Sequence, residues 1–368
     1  MPRHHRITIN EIARMCGVST QTVSRVINKR PDVSPVTRAA VEAAIASVGF
    51  QPSEVARSLV QGRSQTIGVV VGGLKYFGVA QTLNGITEES EASGYALLLK
   101  ELASHDDVEI GRVIEFLLAH RVEGIIFVAP EMGTNIATVG AQLPAAYPPI
   151  VFLKSEPSVT FSTIMIDNYG GARLATDHLL SLGRRRIGHL AGPLAWREAR
   201  ARQDGWRDAL LDAGVEAGPL VPGNWSSASG ELAFDNLLQL DPDLDAVFAG
   251  NDQMALGVFH TAHRRGIAIP DDVAVVGFDG LVEGAQFTPS LTTVSQPLGP
   301  LGQMAVRELL GLLDEQPGRE AVRSLTLSTE LIIRESAPAS VEWRVRTGAA
   351  VGVATATPEP SPVPRRAR

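Results

Sequence analysis

The first 50 positions contain short apolar patterns with helical spacing, separated by residues that begin or end helices. Thr8 can cap a helix over residues 10–15, and Gly17 breaks the pattern that follows it. Ser19 or Thr20 can cap a second helix of similar length. Two helices joined by a tight turn that contains glycine are typical of a helix-turn-helix module.

A third helix is predicted where Ser34 precedes Pro35, because serine caps helices and proline is favoured at the first helical position. Gly49 ends its apolar pattern. The three helices are expected to bury one small core of Ile12, Ala13, Val18, Val23, Val26, Val41 and Ile45. Residues 1–52 are therefore predicted to form an all-α headpiece, and the amphipathic stretch 53–64 a hinge helix or linker.

From Thr66 onwards, apolar runs of strand length alternate with amphipathic helical segments. The predicted strands are 66–71, 95–99, 124–129, 149–153, 186–191, 246–250 and 273–278. The predicted helices include 80–92, 108–120, 170–182, 198–213, 231–240 and 252–265. This alternation indicates parallel sheets covered on both faces, and it is too long for one small sheet, so we expect two α/β subdomains.

Composition narrows the class of protein. Of the 368 residues, 44% are hydrophobic and 20% charged, so the chain can bury more than one core. The single cysteine, Cys16, excludes an intramolecular disulfide framework and a cysteine-cluster zinc site. No signal peptide or membrane-spanning run is visible, so we expect a cytoplasmic protein that contacts no membrane. Residues 337–368 are rich in Ala, Pro, Thr and Arg without periodicity, and a disordered tail is predicted there.

Charge is distributed unevenly along the chain. Residues 1–63 contain nine lysines and arginines against four acidic residues, a balance of +5. The remaining residues contain 24 lysines and arginines against 36 acidic residues, a balance of −12. A basic head on an acidic body indicates a module that binds a polyanion, joined to a part with another ligand. Chance clustering of charge is the alternative.

The second predicted helix carries polar side chains suited to reading DNA. Gln21 can form two hydrogen bonds with adenine in the major groove, and Arg25 can do so with guanine. Recognition helices point the residues of their amino-terminal end toward the bases. The shorter polar groups suited to phosphate contacts are Ser19, Thr22, Ser24 and Asn28. The alternative is an ordinary solvated helix face, which the basic charge and the helix-turn-helix spacing disfavour.

The chain resembles the lactose repressor family (LacI/GalR type) of bacterial transcriptional regulators. The headpiece and hinge of that family are matched by ITINEIARMCGVSTQTVSRVINKRPDVSPVTRAAVEAAIASVGFQPSEVARSL. The resemblance covers roughly residues 7–336 and continues through LAGP at 190–193, GNWSSASG at 223–230, NDQMALG at 251–257, VAVVGFD at 273–279 and SLTTVSQP at 290–297. It implies an α/β periplasmic-binding-protein-like body of two parallel-sheet subdomains joined by three crossovers. The implied N-subdomain spans about 65–166 and 298–325, and the C-subdomain about 167–297 and 326–336.

The resemblance implies which residues contact the operator. Ile9, Thr20, Gln21 and Arg25 lie at positions where the family contacts bases. Leu59, in the hinge, matches the leucine that family members insert into the minor groove at the centre of a palindromic site. Such a wedge unstacks a base step and kinks the duplex. The alternative for Leu59 is an ordinary packing residue on a short helix.

The resemblance also implies a small-molecule site between the subdomains. Its predicted residues are Tyr76, Lys154, Arg202, Trp225, Asn251, Asp279 and Gln296. Arginine and asparagine can donate hydrogen bonds to hydroxyl groups and aspartate accepts from them, which suits a neutral polyol. Trp225, in a polar loop, is a candidate platform for a sugar ring, with Trp196 as a second candidate, and Trp206 is assigned to the core.

Lys154 follows the predicted strand 149–153 and departs from the family's pattern. The lactose repressor has an acidic residue at this position, near its sugar. A cation in place of an anion changes which hydroxyl groups, or which charged group, the site can hold. The alternative is a solvated lysine at the end of a strand.

These features predict a dimeric transcriptional repressor, released from a palindromic operator by a glycoside or oligosaccharide. Its predicted partners are double-stranded operator DNA, the small-molecule effector and a second copy of the chain. No cofactor, metal or enzymatic activity is expected, since there is no GxSxG nucleophile elbow and GVVVGGLKYFG does not form a GxGxxG loop. The alternative within this class is a regulator whose DNA binding is strengthened by a purine or phosphorylated co-repressor. A sugar-transport receptor and an α/β enzyme acting on a sugar are alternatives from other classes.

Overall fold

The structure is a computed structural model that describes residues 7–50, 63–103, 107–129, 143, 147–155, 158, 160–314 and 322–339. Leu59, with the predicted hinge up to residue 62, lies outside the described residues, and so does the predicted tail from residue 340 onwards. No helix in the described ranges is both long and apolar enough to cross a membrane.

As the apolar pattern predicted, the first 50 residues form three helices, α1 (Ile9–Cys16), α2 (Thr20–Ile27) and α3 (Pro35–Val48). Ser19 caps α2, because its hydroxyl oxygen accepts a hydrogen bond of 3.1 Å from the Thr22 amide. Gly17 ends α1 with a φ of 65°, a conformation that favours glycine. The helices bury Ile12, Ala13, Val23, Val26 and Val41, and the edge of this core contains Val18 and Ile45.

The first sheet of the body contains the strands β1 (Thr66–Val71), β2 (Ala96–Glu101), β3 (Gly124–Val128), β4 (Ile150–Leu153), β5 (Ser162–Ile166) and β11 (Ser324–Leu327). Their order across the sheet is β11-β5-β4-β3-β1-β2, and every neighbouring pair is parallel. The helices of this half are α4 (Phe77–Ala92), α5 (Asp107–Ala119) and α10 (Leu298–Asp314). Apolar residues of α4 and α10 cover one face of the sheet.

The second sheet contains the strands β6 (Ile187–Ala191), β7 (Leu220–Pro222), β8 (Ala246–Ala249), β9 (Ala274–Asp279), β10 (Thr292–Ser295) and β12 (Glu330–Ile332). Their order is β12-β10-β9-β8-β6-β7, in which only the edge strand β12 is antiparallel to its neighbour. The helices of this half are α6 (Asn168–Ser181), α7 (Arg197–Asp212), α8 (Ser227–Leu240) and α9 (Asp252–Arg265), and a 3₁₀ turn spans Val282–Gln286.

The chain passes between the two sheets three times, after β5, after β10 and after β11. Between the second and third passages, α10 packs closely on α4. A Cβ atom on Gly85 would lie only 2.1 Å from the carbonyl oxygen of Gly299, so glycine permits this approach. The predicted fold class, an all-α headpiece with a body of two largely parallel sheets, is therefore confirmed.

The apolar pattern missed β5 and β10, which contain hydroxyl groups, and the edge or near-edge strands β7, β11 and β12. In β10, Thr292 and Thr293 are fully buried. The Thr293 hydroxyl donates to an Asp252 carboxylate oxygen (2.6 Å), and the Thr292 hydroxyl donates to the Arg334 carbonyl (3.0 Å). Buried hydroxyls with partners of this kind cost little, so a central strand can be polar in sequence.

The structure places Ala337 in the body rather than in the predicted tail. Ala337 is fully buried, and its carbonyl oxygen lies 2.8 Å from Nε2 of His178 and 3.2 Å from the Thr292 hydroxyl oxygen. The sequence from this point on is rich in Ala, Pro, Thr and Arg and has no periodicity, so it does not reveal that the first tail residue completes the second half.

Glu123 anchors the residues that follow the hinge. Its carboxylate accepts hydrogen bonds from the Gln65 amide (2.7 Å), the Arg63 guanidinium (3.0 Å) and the Tyr95 hydroxyl (3.1 Å). Burial alone would raise the pKa of Glu123, but these hydrogen bonds and the charge of Arg63 hold it below its ordinary value. The path of the chain into β1 is therefore fixed by a side chain that precedes β3.

Replacing Glu123 by alanine is expected to lower the free energy of unfolding by about 1–2 kcal/mol, because three donors lose a charged acceptor at a partly exposed site. Glu91→Ala, at an exposed position of α4, is the matched control and should change it by less than about 0.5 kcal/mol. Chemical denaturation of both variants measures the difference. Equal effects would contradict the anchoring role.

Candidate functional site

All seven predicted effector residues line one cavity of about 540 Å³, to which both halves of the body contribute; we call it the cleft. Lys154 follows β4, Asn251 follows β8, Asp279 ends β9 and Gln296 follows β10. Because these positions are the carboxyl ends of strands, the cleft lies where parallel sheets commonly bind ligands.

Arg202 is held at the floor of the cleft by several partners. Its Nε atom donates to Oδ1 of Asn168 (2.9 Å), its Nη1 atom donates to the Gly250 carbonyl, and Nη1 lies 3.7 Å from Oδ1 of Asp279. The guanidinium also lies 3.8 Å from the ring centroid of Phe278. Burial lowers the pKa of Arg202, and the neighbouring carboxylates oppose this shift. The remaining guanidinium donors can reach a ligand from a fixed position.

Asp279 supplies a buried acceptor next to Arg202. Burial raises the pKa of this carboxyl group, while Arg202, a hydrogen bond from Gln296 and the charge of Lys154 lower it. The hydrogen bond joins Nε2 of Gln296 to Oδ1 of Asp279 at 2.5 Å. The backbone of Asp279 has a φ of 121°, which is strained for a residue other than glycine and is typical of functional sites.

Asn251 has a structural role as well as a place in the cleft. Its Oδ1 atom caps α9 by accepting from the Met254 amide (2.9 Å), and its Nδ2 atom donates to the Trp225 carbonyl (3.1 Å) and to Gln253 (2.8 Å). These bonds use both of its amide protons. Asn251 is therefore placed to fix the loop of Trp225, and it keeps one oxygen lone pair for a ligand.

Aromatic rings from both halves meet at the cleft. Trp225 buries all but 9% of its surface and packs against Gly192, where a Cβ atom would lie 2.0 Å from its ring. Trp196 is half-buried and contacts Trp225 (5.9 Å between centroids) and Tyr76 (4.9 Å), both edge to face. More of the Trp196 ring than of Trp225 is therefore available to a sugar, while Trp206 lies in the core as assigned.

The sequence interpretation missed several polar residues of the cleft, and the most buried of them are Asn168 and Glu198. Asn168 begins α6 and accepts the hydrogen bond from Arg202. Glu198 lies in the first turn of α7, is 6% exposed and has a buried Oε2 atom without a hydrogen-bond partner among the described residues. Its spacing of four residues from Arg202 places both on one helix face, and that signal could have identified it.

Lys154 lies at the end of β4 with a φ of 65° and is half-buried in the cleft, rather than solvated at a strand end. Burial lowers the pKa of its ammonium group. The carboxylates of Glu198 and Asp279 raise it, and the charge of Arg202 lowers it further. The cleft is thus lined by three cations, the buried Arg202, the half-buried Lys154 and the exposed Lys75, and by two carboxylates, Glu198 and Asp279.

The headpiece presents some of its predicted DNA-contacting residues more openly than others. The side chains exposed on α2 or directly beside it are Ser19, Thr20, Gln21, Arg25 and Asn28, and those that are half-buried are Ile9, Thr22 and Ser24. The Ser19 and Thr22 hydroxyls are 2.9 Å apart within the helix cap. Asn28 donates to the Ser24 carbonyl at 2.9 Å. Gln21 and Arg25 therefore share an exposed face, where Arg25 lies 3.5 Å from Asp32.

Within the ranges that the structure covers, no group of three or more His, Cys, Asp and Glu side chains is arranged to hold a metal ion. The described carboxylates of the cleft interact with arginine, lysine and glutamine side chains. What the cleft offers is hydrogen-bond donors, acceptors and aromatic edges.

Two parts of the chain match known protein families. Residues 8–53 match the bacterial regulatory proteins of the lacI family. Residues 176–337 match the periplasmic binding protein-like domain. The first match covers the headpiece helices, and the second covers most of the second half of the body.

Comparison with individual proteins extends the match over the whole body. The chain is similar to the ribose operon repressor of Escherichia coli, with 34% identity over 333 residues that cover 90% of this chain and 99% of the relative. It is similar to the structure of the lac repressor dimer bound to operator and the anti-inducer ONPF, with a TM-score of 0.84, 31% identity and coverage of 90% and 99%. It is also similar to a complex of the transcriptional regulator CelR with cellobiose, with a TM-score of 0.67, 31% identity and coverage of 90% and 100%. These relatives are transcriptional regulators and not enzymes, and on this evidence the chain belongs to the lacI family of bacterial regulatory proteins.

Proposed function

We propose that this protein is a cytoplasmic, dimeric repressor that a neutral sugar, a glycoside or oligosaccharide, releases from a palindromic operator. The observation that carries the sugar assignment is the near balance of charge around the cleft, where Glu198 and Asp279 oppose the more buried cations Lys154 and Arg202, and the exposed Lys75 is the third cation of the lining. Such a site offers both donors and acceptors to hydroxyl groups, and its carboxylates offset most of the positive charge of its cations. The names of two relatives, which refer to ribose and to cellobiose, support this class of ligand.

The aromatic edge of the cleft supports the same class of ligand. Trp196 and Tyr76 contact each other from opposite halves of the body, and Trp225 packs behind Trp196. Sugar rings have an apolar face of C–H groups that can cover an aromatic ring, while their hydroxyl groups point to polar partners. Because the ring contacts come from both halves, a sugar between them would favour one relative arrangement of the halves.

The alternative is a purine or phosphorylated metabolite that strengthens DNA binding. A phosphate group carries a charge of about −1.5 to −2 near neutral pH and would lie close to two buried carboxylates, Glu198 and Asp279. These carboxylates repel a phosphate and offset the attraction of the cations Lys75, Lys154 and Arg202, whereas they accept hydrogen bonds from the hydroxyl groups of a neutral sugar. The sign of the ligand's effect on DNA affinity separates the two functions.

Release of DNA would follow from differential binding to two arrangements of the protein. The headpieces of a dimer bind inverted half-sites, with Gln21 and Arg25 of α2 directed at the major groove. A sugar that binds more tightly to the arrangement unsuited to the operator lowers DNA affinity. The coupling of such systems is typically about 1–3 kcal/mol. Glu123 holds the residues after the hinge on the first sheet, so a movement of that sheet would reach the hinge directly.

Fluorescence anisotropy of the purified protein on a labelled duplex from upstream of its own gene tests the proposal. Salt must be held constant, because phosphate contacts make the affinity steeply salt-dependent. We expect specific binding that at least one neutral mono- or disaccharide weakens. Specific binding that sugars leave unchanged, and that a purine or phosphorylated metabolite strengthens, would favour the alternative.

Gln21→Ala is expected to weaken binding to the specific duplex by about 1–3 kcal/mol, because one side chain that reads a base is lost. Binding to an unrelated duplex should change little, since that binding rests on phosphate contacts. Glu42→Gln, at an exposed position of α3, is the control and should leave the ratio of the two affinities unchanged. An equal loss on both duplexes after the Gln21 substitution would mean that Gln21 reads no base.

A further inference from the structure

Lys154 and Glu198 approach the cleft from opposite halves of the body. Lys154 follows β4 of the first sheet, and Glu198 lies in the first turn of α7, beside the second sheet. Both side chains line the cavity, and the charge of the Glu198 carboxylate raises the pKa of the Lys154 ammonium group. Opposite charges from the two halves thus line the same space.

Hydrogen bonds within the described part of the protein leave both groups incompletely satisfied. The Oε2 atom of Glu198 is buried and has no partner there. No hydrogen bond between described residues involves the Lys154 ammonium, which lies 3.3 Å from where a Cβ atom on Gly78 would be. Gly78 is in the first turn of α4, and the positive end of a helix disfavours a cation. A buried carboxylate oxygen without a donor costs free energy, so a ligand that satisfies both groups is favoured.

Hydroxyl groups suit this pair because each can donate one hydrogen bond and accept others. One hydroxyl of a neutral sugar can donate to Glu198 while an adjacent oxygen accepts from Lys154. A carboxylate on the ligand would suit Lys154, but it offers no proton to Glu198 and is repelled by that residue and by Asp279. An ammonium group would be attracted to the carboxylates and repelled by Lys154 and Arg202.

We propose that Lys154 and Glu198 together set the specificity of the cleft, which takes neutral sugars with adjacent hydroxyl groups and rejects the acidic and amino sugars of the same skeleton. This inference rests on the proposed function, because it takes a sugar as the ligand. Each of the two residues excludes one sign of ligand charge, and both hold the neutral ligand. The pair also joins the two halves of the body through that ligand.

Isothermal titration calorimetry of the full-length protein with matched sugars tests this specificity. The neutral probes are glucose, galactose, ribose and cellobiose, and each is compared with an acid and an amine of the same skeleton. We expect at least one neutral probe to bind, and its charged counterparts to bind at least about tenfold more weakly. A charged sugar that binds more tightly than its neutral counterpart would overturn the inference.

Two substitutions assign the specificity to the pair. Glu198→Gln should weaken binding of the neutral sugar about tenfold. It should also reduce the difference in affinity between the neutral and the acidic sugar, because the charge that repels the acidic sugar is gone. Lys154→Gln should likewise weaken binding of the neutral sugar and reduce the difference in affinity between the neutral and the amino sugar. Glu216→Gln, an exposed position in the loop after α7, is the control and should change neither affinity. Wild-type affinities in the Glu198 variant, with its folding verified by circular dichroism, would refute its role.

The outcome also separates this inference from the proposed function. If a charged sugar binds and weakens DNA binding, the proposed sugar-released repressor stands and only the specificity assigned to Lys154 and Glu198 fails. If no sugar, neutral or charged, binds the wild-type protein, the proposed function fails as well.

Discussion

Replacing Arg202 by alanine is expected to abolish the release of DNA by sugar while operator affinity is retained. Arg202 is 5% exposed and its guanidinium contacts Asn168, Gly250 and Asp279. The substitution removes donors from the cleft and leaves Asp279 buried without its cation. Breaking a buried ion pair in this way lowers the free energy of unfolding by about 3–5 kcal/mol. Sugar titrations of the anisotropy signal, together with thermal denaturation, measure both effects.

A double substitution separates the loss of ligand contacts from the loss of stability. Arg202→Ala combined with Asp279→Asn removes both charges, so much of the stability should return, because residue 279 is no longer a buried charge without its cation. Sugar should still fail to release DNA, since the Arg202 donors and the Asp279 carboxylate that would bind the sugar are gone. If sugar still releases DNA from either variant, at the sugar concentrations that act on the wild-type protein, the cleft assignment is wrong.

Replacing Leu59 by alanine is expected to weaken specific DNA binding far more than non-specific binding. Leu59 lies outside the described residues, and this prediction rests on the family's use of a leucine as a minor-groove wedge. Inserting a wedge unstacks a base step, which costs a few kcal/mol of free energy. The extra protein–DNA contacts that the bent duplex permits offset this cost. A shorter side chain would lose those contacts on the specific sequence, which is kinked, and not on non-specific DNA.

Competition between the specific duplex and an unrelated duplex at constant salt measures the effect of the Leu59 substitution. Leu59→Met keeps the size and apolar character of the side chain and is the matched control. It should retain most of the specificity. Equal losses on both duplexes after Leu59→Ala would show that the hinge does not insert a wedge.

Local signals in the sequence were sufficient for the headpiece and for the central strands. Serine before a helix, glycine after it and apolar residues at helical spacing are short-range features, and Ser19, Gly17 and Gly49 act as they predict. The strands β1, β3 and β4, which are apolar except for Thr66, are buried throughout or nearly so. These elements follow from neighbouring residues alone.

The cleft depends on partners that are distant in the chain, and the sequence revealed it only in part. The resemblance brought together Arg202, Asp279 and Gln296, which lie in one cavity. Glu198 was missed because the segment around it, WREARAR, is highly charged and resembles an exposed helix start. Its spacing of four residues from Arg202 was the signal that places this carboxylate on the same helix face as the cleft arginine. The greater exposure of Trp196 than of Trp225 likewise depends on the close contact of Trp225 with Gly192.

The central claim is that sugar and operator bind to competing arrangements of one protein. Thermodynamic linkage requires each ligand to weaken the binding of the other by the same factor. Calorimetric titration of the releasing sugar into free protein, and into protein saturated with the specific duplex, measures that factor directly. We predict that the duplex weakens sugar binding by the factor by which the sugar weakens DNA binding. Sugar affinity that is unchanged or increased by the duplex would contradict the account.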